Sequence, residues 1–270
     1  GSLIETHHDN VNNNVLAYQQ ALVEAIIDAL NHLNNIIYEI SNEDTGSVDN
    51  TNWQYDMISY INTYQAGKPK QHPVGMTKQW PNESDTVLDA SGADWVSYGV
   101  GKANAVHGAG DPVSMYDTDH TVGLETSSHD WIWQSLCNGH GGAWFMDTWS
   151  GTLYGTDNRN DANHERIRAN CGYALIFANA SKLLKMTPQA SLASTGFCQA
   201  FNSGAGNAEY IVYQGGTGNF TLNLTAAVGT LNISWRRCSN GDTATGTVAG
   251  GAIRTLSPPW AGSVAARVYN

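Results

Sequence analysis

Residues 34–44, NNIIYEISNED, decide the predicted fold, because a short apolar run here ends abruptly in polar and acidic residues. The run from Ile36 to Ile40 is typical of a strand that is buried on both faces of a parallel sheet. Helices cover such a sheet, and the upstream residues 15–34 space their apolar side chains three and four apart, as on one face of a helix. We therefore predict a helix, a short turn and a buried strand in this order.

The same alternation of helices and strands continues downstream. Residues 52–67 again have helical spacing and stop at a glycine. Further strands are predicted at HPVGM (72–76), DWVSY (94–98), PVSMY (112–116) and GAWFM (142–146), and further helices near 128–139 and 161–185. Strands that are repeatedly separated by helices or crossover loops indicate a parallel α/β architecture.

The pattern changes after Pro188. Short alternating segments joined by glycine-rich turns follow, among them EYIVYQGG (209–216), NFTLNLTA (219–226) and LNISWRRC (231–238). Such a series is typical of a small antiparallel β-sandwich. We therefore predict two domains, a partial (half) TIM-type β/α barrel over residues 1–188 and a β-sandwich over residues 189–270.

The charge balance argues against two classes of partner. The 13 basic and 24 acidic residues give a formal charge of −11, and no Lys/Arg cluster offers the phosphate-neutralising stripe that nucleic-acid binding requires. The chain also lacks a run of the roughly 18 apolar residues that a membrane span needs. We predict that neither nucleic acid nor a membrane is a partner.

The residues that could hold a metal or cofactor are few. The four cysteines lack the C-x-x-C spacing of zinc and redox sites, and Cys198 and Cys238 are equally compatible with a disulfide and with two buried thiols. Asp117, Asp119 and His120 could ligate a divalent ion, but no second ligand cluster has recognisable spacing. We predict no metal and no cofactor.

Carboxylates follow three of the predicted strands. Glu43 follows the first apolar run, Asp117 and Asp119 follow PVSMY, and Asp147 follows GAWFM. In β/α barrels the catalytic groups lie at the carboxyl ends of the strands. We therefore interpret the polar end of residues 34–44 as the point where the strand reaches the active face. Glu39, inside the strand, is expected to pair with a neighbour, although direct chemistry stays open.

These segments also carry a family resemblance. NNIIYEISNED resembles the fourth barrel strand of the retaining (β/α)8 glycoside hydrolases of the cellulase-like clan, in which an Asn-Glu pair ends the strand. HPVGM, ADWVS, PVSMYDTDH and DWIWQSLCNGHGGAWFMD follow in the order of such a barrel. AEYIVYQGG and GGAIRTLSPPWAGSVAARVY resemble a collagen-binding-like β domain that follows the barrel. The resemblance covers nearly the whole chain and implies hydrolysis of a β-linked glycan.

The resemblance also implies the roles of individual residues. It makes Glu43 the acid/base and Asn42 a hydrogen-bond donor to the 2-hydroxyl of the substrate. Asp117 takes the place of the nucleophile, although the clan usually has Glu there and Asp119 is the alternative. A retaining mechanism needs two carboxyl groups about 5–5.5 Å apart, one that attacks the anomeric carbon and one that protonates the leaving oxygen.

Aromatic residues near the acidic strand ends are candidate sugar platforms, because an aromatic face suits the apolar face of a pyranose. Trp131 and Trp133 lie in a helix-like stretch and are expected in the core. The predicted substrate-binding residues are Asn42, Trp53, Asp119, His120 and Trp149.

The number of strands predicts an incomplete barrel. A closed barrel of this type has eight strands, whereas we predict five before the β domain. Residues 2–10, SLIETHHDN, resemble the tail that follows the third barrel strand, so the chain is expected to begin in mid-barrel. An open half-barrel exposes sheet edges and apolar surface, which folded proteins cover or pair. We therefore predict a homodimer through the half-barrel, and the resemblance implies a secreted or extracellular microbial protein.

Two functions from different classes follow. The first is an enzyme, or the truncated remnant of one, that hydrolyses a β-linked oligo- or polysaccharide with retention. The second is a non-catalytic carbohydrate- or surface-binding protein in which the half-barrel is a scaffold and residues 190–270 contact the polymer.

Overall fold

The computed structural model describes residues 14–42, 48–78, 85–98, 112–117, 128–144, 162–202 and 206–270. Within these residues the chain is a mixed α/β protein with one parallel sheet and two antiparallel sheets. Its contacts divide it into two compact units, one of residues 1–99 with 111–115 and the other of residues 100–110 with 116–270.

Helices and parallel strands alternate through the first part of the chain, as predicted. The elements are α1 (Asn14–Leu30), β1 (Tyr38–Glu39), α2 (Val48–Gln65), β2 (Val74–Thr77), α3 (Asp85–Asp89), β3 (Trp95–Ser97), β4 (Val113–Asp117), α4 (Asp130–Cys137), β5 (Gly142–Trp144) and α5 (Ala162–Ala180). The five strands form one sheet in the order β1-β2-β3-β4-β5, and the pairs from β1 to β4 are parallel. This confirms the parallel α/β prediction, while the half-barrel stays a prediction.

The core of the first unit lies around β2 and β3. All four residues of β2 and all three residues of β3 are buried, as expected for strands that are covered on both faces. Met57, Ile58 and Ile61 on α2 are buried in the same unit.

The prediction that residues 36–40 form a strand buried on both faces is wrong. Only Tyr38 and Glu39 form strand, Tyr38 is partly buried and Glu39 is exposed. Ile37 has 43% of its surface exposed. The physical reason is that β1 is the first strand in the sheet order and has β2 as its neighbour on one side. The apolar composition of the run does not reveal that edge position.

The C-terminal part of the chain is antiparallel, as predicted. Its strands are β6 (Thr187–Pro188), β7 (Cys198–Phe201), β8 (Glu209–Gln214), β9 (Phe220–Asn223), β10 (Thr230–Arg237), β11 (Thr243–Ala249), β12 (Ile253–Leu256) and β13 (Val264–Tyr269). One sheet has the order β11-β10-β13-β8-β7-β6, and β12 pairs with β9 in a second, two-stranded sheet.

The six-stranded sheet is buried on both faces at β8 and β13. Side chains alternate across a strand, and Tyr210 and Val212 lie in the core that also holds Phe220 and Leu222 of β9. Ile211 of the same strand lies in a different core, together with residues of α4 and α5. The continuous apolar composition of β8 is thereby explained, because each face packs against its own partner.

Helices α4 and α5 pack on the outer face of this sheet. Trp133 stacks on Tyr213 with the ring centroids 6.2 Å apart and the planes 7° from parallel. The indole Nε1 of Trp133 donates to Asn170 Oδ1 over 2.9 Å, and Asn170 Nδ2 donates to the carbonyl of Cys238 over 2.9 Å. Trp131 and Trp133 are both buried, which confirms that they are core residues. The predicted boundary at 188/189 lies inside the second compact unit.

A buried carboxylate connects three parts of this unit. Glu209 begins β8 and is buried, and its Oε1 accepts from Arg267 Nε of β13 over 2.5 Å. The backbone N–H of Lys182, which follows α5, donates to Glu209 Oε2 over 3.2 Å. Because a charged partner and a backbone donor both reach it, the carboxylate is compensated in spite of its burial.

All four cysteines are thiols in the structure. Cys137, Cys198 and Cys238 are buried, whereas Cys171 on α5 is partly exposed. Burial raises the pKa of Cys137 and of Cys238 to about 12 and raises the pKa of Cys198 as well. These three thiols are therefore protonated near neutral pH and chemically inert.

Candidate functional site

Polar groups end the strands of the first unit along one edge of the sheet. In the parallel register Thr77 pairs with Ser97, and Ser97 pairs with Met115. The Thr77 hydroxyl lies 2.9 Å from Glu39 Oε1 and 2.8 Å from the carbonyl of Ser41. Thr77 thus holds the polar end of β1 against the end of β2. The contact also confirms the expectation that Glu39 pairs with a neighbour.

The predicted catalytic residues lie at or just after the strand ends in the sequence. Asn42 is exposed and follows Ser41, and Glu43 lies outside the described residues. Asp117 is the last residue of β4, and its side chain lies outside the described part. The pairing of Glu43 with Asp117 therefore stays a prediction. Three further predicted binding residues lie outside the described residues, namely Asp119, His120 and Trp149.

Trp53 does not present an open face to a ligand. It lies in α2 with 7% of its surface exposed, and its indole Nε1 donates to Gln19 Oε1 of α1 over 3.1 Å. A ring with so little exposed surface cannot stack on a pyranose without local rearrangement. The prediction of a sugar platform at Trp53 is therefore corrected to a role in packing α1 on α2. The physical reason is that the residue falls on the buried face of the helix.

Two residues at the carboxyl end of β2, Thr77 within the strand and Lys78 directly after it, were missed by sequence reasoning. Thr77 contacts the end of β1, and the ammonium group of Lys78 lies 3.4 Å from the carboxylate of Asp85 at the start of α3. Both follow directly on the apolar run VGM, so the same change from apolar to polar that drew attention to residues 41–44 was present here. The signal was weak because Thr77 is small and uncharged and Lys78 is a single charged residue.

A Ser/His/Asp cluster in the second unit is structural. His129 Nε2 lies 2.8 Å from Ser263 Oγ and 3.8 Å from Asp130 Oδ1, while Nδ1 is buried and has no partner among the described residues. A catalytic triad requires the acid and the nucleophile on opposite ring nitrogens. Asp130 instead accepts from the hydroxyl of Tyr213. Burial lowers the pKa of His129, which favours the neutral imidazole at this helix–sheet junction.

Within the described ranges, no group of three or more His, Cys, Asp or Glu side chains is arranged to hold a metal ion. Among the described helices, none is long and apolar enough to cross a membrane.

The fold is similar to that of solved glycoside hydrolases. No family model matches the chain, and no curated protein matches it. A solved glycoside hydrolase is 13% identical, with 94% of this chain and 69% of that chain covered and a TM-score of 0.61. A glycoside hydrolase family 5 protein from Bacteroides vulgatus ATCC 8482 is 12% identical, with 93% and 66% covered and a TM-score of 0.62. The chain therefore shares a glycoside hydrolase fold and spans about two thirds of the length of these structures.

Proposed function

We propose that the chain hydrolyses a β-linked glycan with retention. The observation that carries the proposal is the fold shared with solved glycoside hydrolases over nearly all of this chain. The polar edge formed by the ends of β1 and β2 supports it, because barrel enzymes place their chemistry at the carboxyl ends of the strands.

The proposed mechanism uses two carboxyl groups. Asp117 attacks the anomeric carbon and forms a glycosyl-enzyme intermediate, while Glu43 protonates the leaving oxygen. Glu43 then accepts a proton from the water that cleaves the intermediate, so it acts first as acid and then as base. Asn42, exposed directly before Glu43, hydrogen-bonds the 2-hydroxyl of the sugar.

Replacing Glu43 by Gln tests the acid/base role. We expect turnover of alkyl glycosides to fall by about 10²-fold to 10⁴-fold, because general acid catalysis typically contributes that much. Aryl glycosides with acidic leaving groups should lose less, because their oxygen needs little protonation to depart. The measurement is kcat/KM over a panel of β-glycosides that differ in sugar and leaving group.

Matched variants separate the assigned roles from their alternatives. Glu39→Gln changes a carboxylate that contacts Thr77 and should leave turnover within a few-fold of wild type. Asp117→Asn should abolish turnover, whereas Asp119→Asn should retain it. Turnover that survives Glu43→Gln on every substrate, or that is lost only in Asp119→Asn, would contradict the assignment.

The second candidate function is glycan binding without catalysis, and a groove in the β region favours it. The groove has a volume of about 390 Å³. Trp235 of β10 and Leu256 of β12 line it but are buried, and Gly246 of β11 lies beside the indole. Three exposed hydroxyl-bearing side chains beside it are Thr245, Thr247 and Thr255. Several neighbouring hydroxyls can hydrogen-bond the hydroxyls of a sugar, while the buried indole offers no open stacking face.

The same preparation distinguishes the two functions. Retention on an insoluble polysaccharide without any turnover, and loss of that retention in Gly246→Val, would favour binding over hydrolysis. Gly246 suits this test because it lines the groove and a Cβ there meets the Trp235 indole at 3.8 Å, an ordinary contact, and circular dichroism checks that the variant is folded.

We also propose that two copies associate through the first unit. Val15, Tyr18, Leu22 and Ile26 on α1 recur at helical spacing and are all exposed, Leu22 to 62%. Ile37, next to the edge strand β1, is exposed as well. A contiguous apolar surface of this kind is typical of a contact site, and a twofold axis is the commonest way to pair two copies.

Light scattering over a dilution series tests the association. Wild type should have about twice the mass of 29.1 kDa, and Leu22→Lys should shift the population to monomer. Val228→Lys, which alters an exposed apolar residue in the β region, is the matched control and should leave the mass unchanged. A wild-type monomer at low micromolar concentration would refute the association.

A further inference from the structure

A cavity of about 290 Å³ lies between α4 and α5 in the second unit. Its walls are mainly aliphatic, and the side chains that form them are Ile132, Leu136, Ala174, Leu175, Ala178 and Leu183. The volume is close to the lower limit of ordinary ligand pockets, roughly 300 Å³. It is also roughly twice the 150 Å³ of an engineered apolar cavity that binds benzene in another protein.

One polar group in this cavity is buried and has no partner. Ser135 is 1% exposed, lines the cavity, and its Oγ makes no hydrogen bond to the described residues. Native proteins seldom bury a hydroxyl without a partner, because the group has lost its water and gained nothing in exchange. Because Ser135 lines the cavity, a hydrogen-bonding group that enters beside it would give this hydroxyl a partner.

The cavity lies beside the start of β5, and none of its described lining residues is a predicted catalytic residue. Gly141 and Gly142 line it, and Gly142 is the first residue of β5, so the cavity lies at the amino end of that strand. Catalysis is proposed at the carboxyl ends of the strands. A ligand here would act as an effector or a structural ligand, and the inference does not depend on the proposed hydrolysis.

We propose that this cavity binds a small, largely apolar molecule with one hydrogen-bonding group, such as a monocyclic aromatic alcohol. The aliphatic walls accept the ring, and Ser135 Oγ bonds the hydroxyl. The volume leaves room for one ring with a short substituent and excludes an oligosaccharide. A sugar would also leave most of its hydroxyls unpaired against the aliphatic walls.

Cys171 provides a reporter for occupancy. It lines the cavity and is partly exposed, whereas the other three thiols are buried and have a raised pKa. Alkylation of the native protein near neutral pH should therefore modify Cys171 first. A ligand in the cavity should slow that reaction.

The experiment compares benzyl alcohol with toluene, which has the same ring and no hydroxyl. Binding is measured on the full chain by ligand-observed NMR and by the rate of Cys171 alkylation. We expect benzyl alcohol to bind more tightly and to slow alkylation several-fold at saturation. Ser135→Ala should reduce its affinity about fivefold to tenfold, as loss of one hydrogen bond predicts, and should leave toluene binding unchanged.

A cavity-filling variant is the second arm. Ala178→Leu places side-chain atoms in the cavity and should abolish binding of both probes, and Ala174→Val serves if circular dichroism shows that the first variant is unfolded. Absence of binding of both probes to wild type overturns the proposal. Equal affinity for the two probes, or an equal loss of both in Ser135→Ala, overturns the role of the hydroxyl. A wild-type dimer that Ala178→Leu converts to monomer shows that a second copy fills the cavity, which also overturns it.

Discussion

Gly75→Ala should lower the free energy of unfolding by more than about 3 kcal/mol, beyond the usual range for overpacking a core. Gly75 of β2 pairs in register with Trp95 of β3, and a Cβ added there would lie 1.9 Å from Cε2 of the indole. Two further ring atoms would lie 2.2 and 2.3 Å away. The indole is rigid and buried, so the clash cannot be relieved by moving the end of a flexible side chain.

Chemical denaturation followed by circular dichroism measures this effect. Gly67→Ala is the matched control, because a Cβ there meets nothing within 4 Å, and it should change stability little. The double variant Gly75→Ala/Trp95→Leu should be no less stable than Trp95→Leu alone, because removing the ring removes the clash. Wild-type stability of Gly75→Ala would show that β2 and β3 are not packed as described.

Residues 189–270 expressed alone should be far less stable than residues 128–270. The outer face of the six-stranded sheet carries Ile211 and Tyr213, which α4 and α5 cover in the second core. Burying each large apolar side chain contributes about 1.5–3 kcal/mol. Uncovering these two side chains therefore costs about 3–6 kcal/mol, which is comparable to the whole net stability of many small domains.

Thermal unfolding of the two fragments by circular dichroism makes the comparison. Ile211→Thr sharpens it, since the substitution should destabilise residues 128–270 and have little effect on residues 189–270, where that face is open to water. Equal, cooperative unfolding of both fragments would contradict the expected dependence on the helices. That result would support independent folding of the β-sandwich and the predicted boundary at 188/189.

The candidate site was only partly predictable, for a physical reason that Trp53 and Thr77 illustrate. The change from apolar to polar residues at a strand end is a local signal, so it located the edge where Thr77 contacts Glu39 and Ser41. Which side of a helix is covered is a non-local property. Trp53 was therefore expected near the substrate but packs toward α1.

Local patterns in the sequence by themselves determined the order and type of the main elements. The helical spacing of residues 15–34 and the apolar strand VGM of β2 both predicted the structure correctly, because backbone periodicity limits which side chains share a face. The residues EYIVYQ were correctly predicted as a strand of an antiparallel region, although the alternating pattern did not predict that both faces of β8 are buried. These features depend on neighbours within a few residues.

Only the tertiary structure decided what each face meets. It placed β1 at a sheet edge and left Ile37 exposed, although the composition of the run resembles that of a buried strand. It also paired Glu209 with Arg267, which lies 58 residues away in the chain, and packed α4 and α5 on the sheet. Burial depends on partners that are distant in sequence, and no short segment contains the information about which partner will cover it.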